Sequence, residues 1–78
     1  MIIKNSEVQA KDLGDGVTRK VLSYSDNMMA VEFKFKKGSM GALHSHPHEQ
    51  IGYVVSGSLE LLGGEEKITL KTGDTYYV

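Results

Sequence analysis

Four side chains in this sequence stand at a spacing suited to holding a metal ion: His44, His46, His48 and Gln50. They include every histidine of the protein. Imidazole is the commonest protein ligand for metals, and a side-chain amide adds an oxygen donor. In an extended strand, side chains two apart share a face, so His44 and His46 project together. Pro47 cannot donate to a ladder, and Pro47-His48-Glu49 reads as a tight reversal. An antiparallel strand after that reversal carries Gln50 back beside the histidines. Two neutral imidazoles and one amide oxygen then occupy one side of an ion. The opposite positions stay open to water or substrate, as in a catalytic site rather than a structural one. His48 is placed at the rim, where it is the candidate proton carrier. The plainer alternative for the same residues is a set of hydrogen-bonded histidines with Gln50 as an outer partner.

The elements that must position these donors have a period of two. Along Met28–Lys37, Met29, Val31, Phe33 and Phe35 alternate with Ala30, Glu32, Lys34 and Lys36, as a half-buried strand requires. The first set is expected in the core. Gly16–Tyr24 is rich in β-formers and follows the turn Leu13–Gly16. Two strands are expected between Met40 and Ser56, broken at Pro47. Ser58–Leu62 and Lys67–Leu70 flank Gly63-Gly64-Glu65-Glu66, a hairpin connection. Lys71–Asp74 is a further turn, and Thr75–Val78 opens a strand whose neighbours are expected to be missing. No stretch carries a helical period. Glycine-punctuated short strands indicate an all-β sandwich or barrel. Tyr53 has the opposite parity to Gln50 and is assigned to packing. Tyr76 and Tyr77 are assigned to an interface, Asp74 to its turn, and Glu49 to a solvated turn.

Composition narrows the classes of function. The chain has 78 residues, enough for one domain that buries only about 60% of its unfolded surface. It has no cysteine, which excludes disulfides and thiolate metal sites. Nine basic and ten acidic side chains leave a net charge of −1, with Arg19 the single arginine. Lys34, Lys36 and Lys37 read as a solvated strand face, so no basic stripe suits nucleic acid. No segment approaches the roughly twenty apolar residues of a membrane span, and a soluble cytoplasmic protein is expected. Neither Ser45 nor Ser56 sits in a nucleophile elbow, and no glycine loop cradles phosphate.

The stretch Gly38–Gly57, GSMGALHSHPHEQIGYVVSG, resembles the first motif of the cupins: a glycine, two histidines one residue apart, an acidic residue and a closing glycine. Gly38, His44, His46 and Gly57 match, and Gln50 stands where glutamate is usual. LKTGDTYYV is similar to the opening of the second cupin motif, with Gly73 as its first glycine. The resemblance implies one antiparallel jelly-roll domain over residues 1–78, with the first motif at 38–57 and the second beginning at 73–78. It implies His44, His46 and Gln50 as ligands of a divalent metal (Mn, Fe, Co, Ni or Zn). The second motif's histidine is not in the sequence, so the closing strands are expected to be missing from a truncated barrel. A homodimer, with strands exchanged or tightly packed, would cover the exposed edge. The string HSHPHEQ is similar to that of small cupins of pectin and uronate degradation. That likeness implies isomerase-like, lyase-like or oxygenase chemistry on a sugar-derived acid or keto sugar. A non-catalytic ligand-binding or sensing module is the alternative.

Overall fold

A computed structural model describes residues 1–39, 49–63 and 66–78. The described residues are antiparallel and all-β apart from one 3₁₀ turn, and the chain divides into two compact units, Met1–Leu43 and His44–Val78.

The first unit is a three-stranded meander of β1 (Lys11–Gly14), β2 (Val17–Tyr24) and β3 (Met29–Phe35). β1 and β2 join through Asp15 and Gly16, at φ 54° and 81°. Two consecutive positive φ values make the primed turn whose twist matches a hairpin, and Asp-Gly is among the pairs that best tolerate it. At the β2–β3 turn, the Ser25 hydroxyl accepts the backbone N–H groups of Asn27 and Met28. Register pairs Val17 with Phe35, Arg19 with Phe33 and Val21 with Val31. Met29, Val31, Phe33 and Phe35 therefore lie on one face, as the alternation requires.

The expected burial of that face does not follow. Phe33 and Phe35 are 45% and 42% exposed, with ring centroids 6.1 Å apart, and Val17 alone in this unit's described residues is buried. A single small sheet shields few side chains on either side. On the other face Lys20 stands opposite Glu32, and Asn5 of the 3₁₀ turn bridges them. Its Oδ1 accepts Lys20 Nζ at 2.8 Å, and its Nδ2 donates to Glu32 Oε2 at 2.9 Å.

The second unit is one hairpin nested inside another. β5 (Ser58–Gly63) and β6 (Glu66–Lys71) form the inner arm, in register from Ser58↔Lys71 to Gly63↔Glu66. That register matches the expected reversal, whose central residues 64 and 65 lie outside the described set. β4 (Ile51–Tyr53) and β7 (Thr75–Tyr77) form the outer pair, with Ile51↔Tyr77, Gly52↔Tyr76 and Tyr53↔Thr75. The strand at residues 75–78 thus has a neighbour, contrary to expectation, because the inner hairpin folds it back beside β4.

The corner between the two pairs is built on Gly73. Lys71–Asp74 is a turn closed by Asp74 N–H donating to the Lys71 carbonyl at 2.9 Å, with Gly73 at φ 92° in the third position, as a type II turn demands. Gly73 N–H donates to the Val54 carbonyl, and Val54 N–H donates to the Asp74 carbonyl. Two residues facing one, the first a left-handed glycine, make a glycine β-bulge. Asp74 also accepts Lys71 N–H on its carboxylate at 2.8 Å, so it is a turn residue as expected. Between the paired segments, residues 54–57 face residues 72–74, one residue more on the first arm.

Candidate metal centre

The expected donors fall on both sides of the boundary of the described structure. His44, His46 and His48, with the reversal at Pro47, lie outside the described residues. Gln50 lies inside them, half-buried, one residue before β4. Its backbone is held twice: its N–H donates to the Val78 carbonyl at 3.1 Å, and its carbonyl accepts Val78 N–H at 2.9 Å. Gln50 and Val78 thus extend the β4–β7 ladder by one hydrogen-bonded pair.

Strand parity separates two faces there. Gln50, Gly52 and Val54 share one with Tyr76 and Val78; Ile51 and Tyr53 share the other with Thr75 and Tyr77. Val54 is 8% exposed, and Gln50 and Tyr76 are half-buried, whereas Ile51, Tyr53 and Tyr77 are exposed, as is Val78 at the edge of the first face. Gln50 is therefore on the sheltered face, and Tyr53 takes the opposite one, as its parity requires.

Two tyrosines of β7 flank this position from opposite faces. The Tyr77 hydroxyl donates to Glu49 Oε1 at 2.8 Å, and this bond, followed by slight burial, holds the phenol above a tyrosine's ordinary value of 10.0. Glu49 is thus tied to β7 rather than merely solvated. Tyr76 packs across β4 at Gly52: a Cβ placed there would overlap the ring at Cε1 and Cζ. Neither contact was legible beforehand, since each depends on the β4–β7 register and joins residues more than twenty positions apart.

The donor set fits a divalent ion chemically. Imidazoles with an amide oxygen suit Mn, Fe, Co, Ni or Zn. Among the described residues, no hydrogen bond engages the Gln50 side-chain amide. Among the described residues, no three His, Cys, Asp or Glu side chains stand together as a metal-holding group. A hollow of about 380 Å³ at the β2–β3 turn is lined by Tyr24, Met28 and Met29 among others and includes none of the candidate donors.

A family model described as a cupin domain matches residues 31–78. The chain belongs to the cupin family. Over 73 residues it is 45% identical to the pectin degradation protein KdgF of Dickeya dadantii (strain 3937), an alignment covering 92% of this chain and 66% of that protein. The chain thus spans slightly under two thirds of the length of that curated relative. The solved structure of KdgF from Halomonas sp. superposes with a TM-score of 0.91 at 37% identity, covering all of this chain and 72% of that one. An RmlC-like cupin from Shewanella frigidimarina NCIMB 400 superposes with a TM-score of 0.89 at 31% identity, over 99% of this chain and 69% of its own. The expected family and the pectin-related likeness are both borne out. No helix among the described residues is long and apolar enough to cross a membrane.

Proposed function

We propose that this cupin binds a divalent metal through His44, His46 and Gln50 and acts on a sugar-derived acid or keto sugar. The observation that carries the reading is Gln50, side chain on the sheltered face, backbone locked to Val78, at the motif position where a cupin places an oxygen donor. The 45% identity to a pectin degradation protein supports the substrate class. A bound ion would supply Lewis-acid stabilisation of negative charge developing on vicinal substrate oxygens. Because Gln50 is an amide and not a carboxylate, it cancels none of the ion's charge, leaving a site charge of about +2. The chain's own residues orient and move protons. The doubled backbone contact fixes where Gln50 leaves the ladder, and His48 carries a proton on an imidazole nitrogen. We read residues 1–78 as one cupin-like domain that pairs as a homodimer, a reading supported by the exposed Ile51, Tyr53 and Tyr77.

Metal analysis of protein purified without chelators tests the proposal. Stoichiometric metal that disappears in His44→Ala, with turnover of an unsaturated or keto uronate, is the expected result. Oxygen uptake during turnover would redirect the chemistry from isomerisation or elimination to oxygenation. Substoichiometric metal indifferent to His44→Ala would overturn the metal reading and favour a non-catalytic ligand-binding module. Sedimentation at several concentrations tests the dimer.

A further inference from the structure

We infer that Tyr76 is a positioning residue for the Gln50 side chain, and that Gly52 is the surface on which it rests. The inference deepens the metal reading and depends on it. Gly52 is one of nine glycines, but its role differs from those at the turns. Gly14, Gly16, Gly38, Gly57 and Gly73 have positive φ, whereas Gly52 sits in β4 without that need. What Gly52 supplies is space. A Cβ there would overlap Tyr76 at Cε1 and Cζ and lie 2.6 Å from its hydroxyl. The ring therefore crosses from β7 and lies against the β4 backbone, on the face that carries Gln50 and Val54. Since Tyr76 is half-buried and paired directly with Gly52, Gln50 is its diagonal neighbour, a separation that aromatic side chains span.

An amide ligand binds through one end only, so its usefulness depends on which way it points. A side chain free to swing along β4 toward Val54 would hold its oxygen in no fixed direction. The Tyr76 ring, lying over Gly52 between the positions of Gln50 and Val54, would limit the rotamers open to Gln50 on that flank. Groups that orient a metal ligand without touching the metal typically govern about 10–100-fold of affinity. The role is one of shape, so the ring matters and the hydroxyl does not.

Cobalt(II) titration followed by visible absorption tests this, with circular dichroism to check folding. Tyr76→Phe should keep the wild-type affinity and ligand-field band. Tyr76→Ala and Gly52→Ala should each weaken cobalt about tenfold and alter the band. In a Gln50→Ala background, Tyr76→Ala should cost nothing further, because the ring acts through Gln50. Unchanged titrations in both alanine variants, or losses that simply add in the double variant, would overturn the inference. Should Tyr76→Ala not fold, Gly52→Ala carries the test, since alanine needs no special backbone at that position. Absence of any cobalt band in the wild type would remove the metal reading itself, and that result is read from the unsubstituted protein alone.

Discussion

The two units are built from the same antiparallel strands yet hold them together differently. In the first, each strand pairs with its immediate successor through a short turn, and Asn5, Lys20 and Glu32 add a polar bridge on one face. In the second, the outer pair β4–β7 encloses the inner hairpin and joins residues up to 28 apart in sequence. Local pairing costs little chain entropy, whereas the outer pair must offset closure of a long loop with three residue pairs and the Gln50–Val78 contacts. Gln50 belongs to the more expensive arrangement. The candidate donor that lies within the described structure is thus held by the least local of these strand pairings, and its placement depends on the corner at Gly73 and Val54.

Trimming the single buried valine of each unit puts that contrast under the greatest strain. Val17 is 6% exposed and Val54 8%, so Val17→Ala and Val54→Ala should each cost about 2 kcal/mol in urea unfolding. Hydrogen exchange should then separate them. Val54→Ala is expected to speed exchange at Gln50, Gly52 and Val78 and to weaken metal binding, whereas Val17→Ala leaves these amides protected. Equal acceleration in both variants would mean that the two units open together.

A smaller effect compares two similar turns. Lys36–Ser39 and Lys71–Asp74 each place a glycine in the third position, Gly38 at φ 83° and Gly73 at φ 92°, and each closes with an N–H donated to the carbonyl of its lysine. Gly38→Ala and Gly73→Ala should each lose about 1–2 kcal/mol from the left-handed backbone. Only Gly73→Ala should also disturb the β4–β7 register, because its glycine doubles as the bulge. Spectra showing an identical response at Gly52 in both variants would count against that distinction.

Smallest of all are the surface links. Lys20→Met removes an exposed bridge to Asn5 and should shift stability by no more than about 0.5 kcal/mol. Tyr77 offers a pH test of the other unit. Its phenol is held above 10.0 by the bond to Glu49, so the folded state keeps that proton more tightly than the unfolded chain does. The resulting stabilisation is complete below pH 10.0 and is lost as pH rises through the folded value. The difference in urea midpoint between wild type and Tyr77→Phe should be flat at neutral pH and shrink on the alkaline side. A difference that grew with alkalinity would reverse the assignment.

What could be read from the sequence follows the same division. The alternation over Met29–Phe35 located β3 and its faces, and the glycines at 16 and 73 marked turns that the backbone requires. β1 escaped notice because Lys11–Gly14 has little apolar pattern; it becomes a strand by pairing with β2 across Asp15-Gly16. Burial of Phe33 and Phe35 was overestimated, since periodicity reveals which side chains share a face but not whether anything covers it. At the candidate site, Gln50 could be picked out from spacing alone. Tyr76 and Tyr77 could not, because their partners Gly52 and Glu49 become neighbours only after the long-range register is set. A glycine chosen for the room it leaves looks the same in a sequence as one chosen for its backbone.

The corner at residues 54–57 and 72–74 has a consequence for how this protein tolerates changes in length. Beyond it, β5 and β6 form an arm whose strands, among the described residues, pair only with one another. Removing or adding matched residues on both strands of that arm would shorten or lengthen it while leaving Gln50, Gly52 and Tyr76 where they are. A lone insertion between Gln50 and Gly52 is another matter. It would turn one of them to the opposite face and separate the glutamine from the ring that flanks it. The inner arm can therefore drift in size over many variants, while the short stretch beside Gln50 accepts almost no change in residue count.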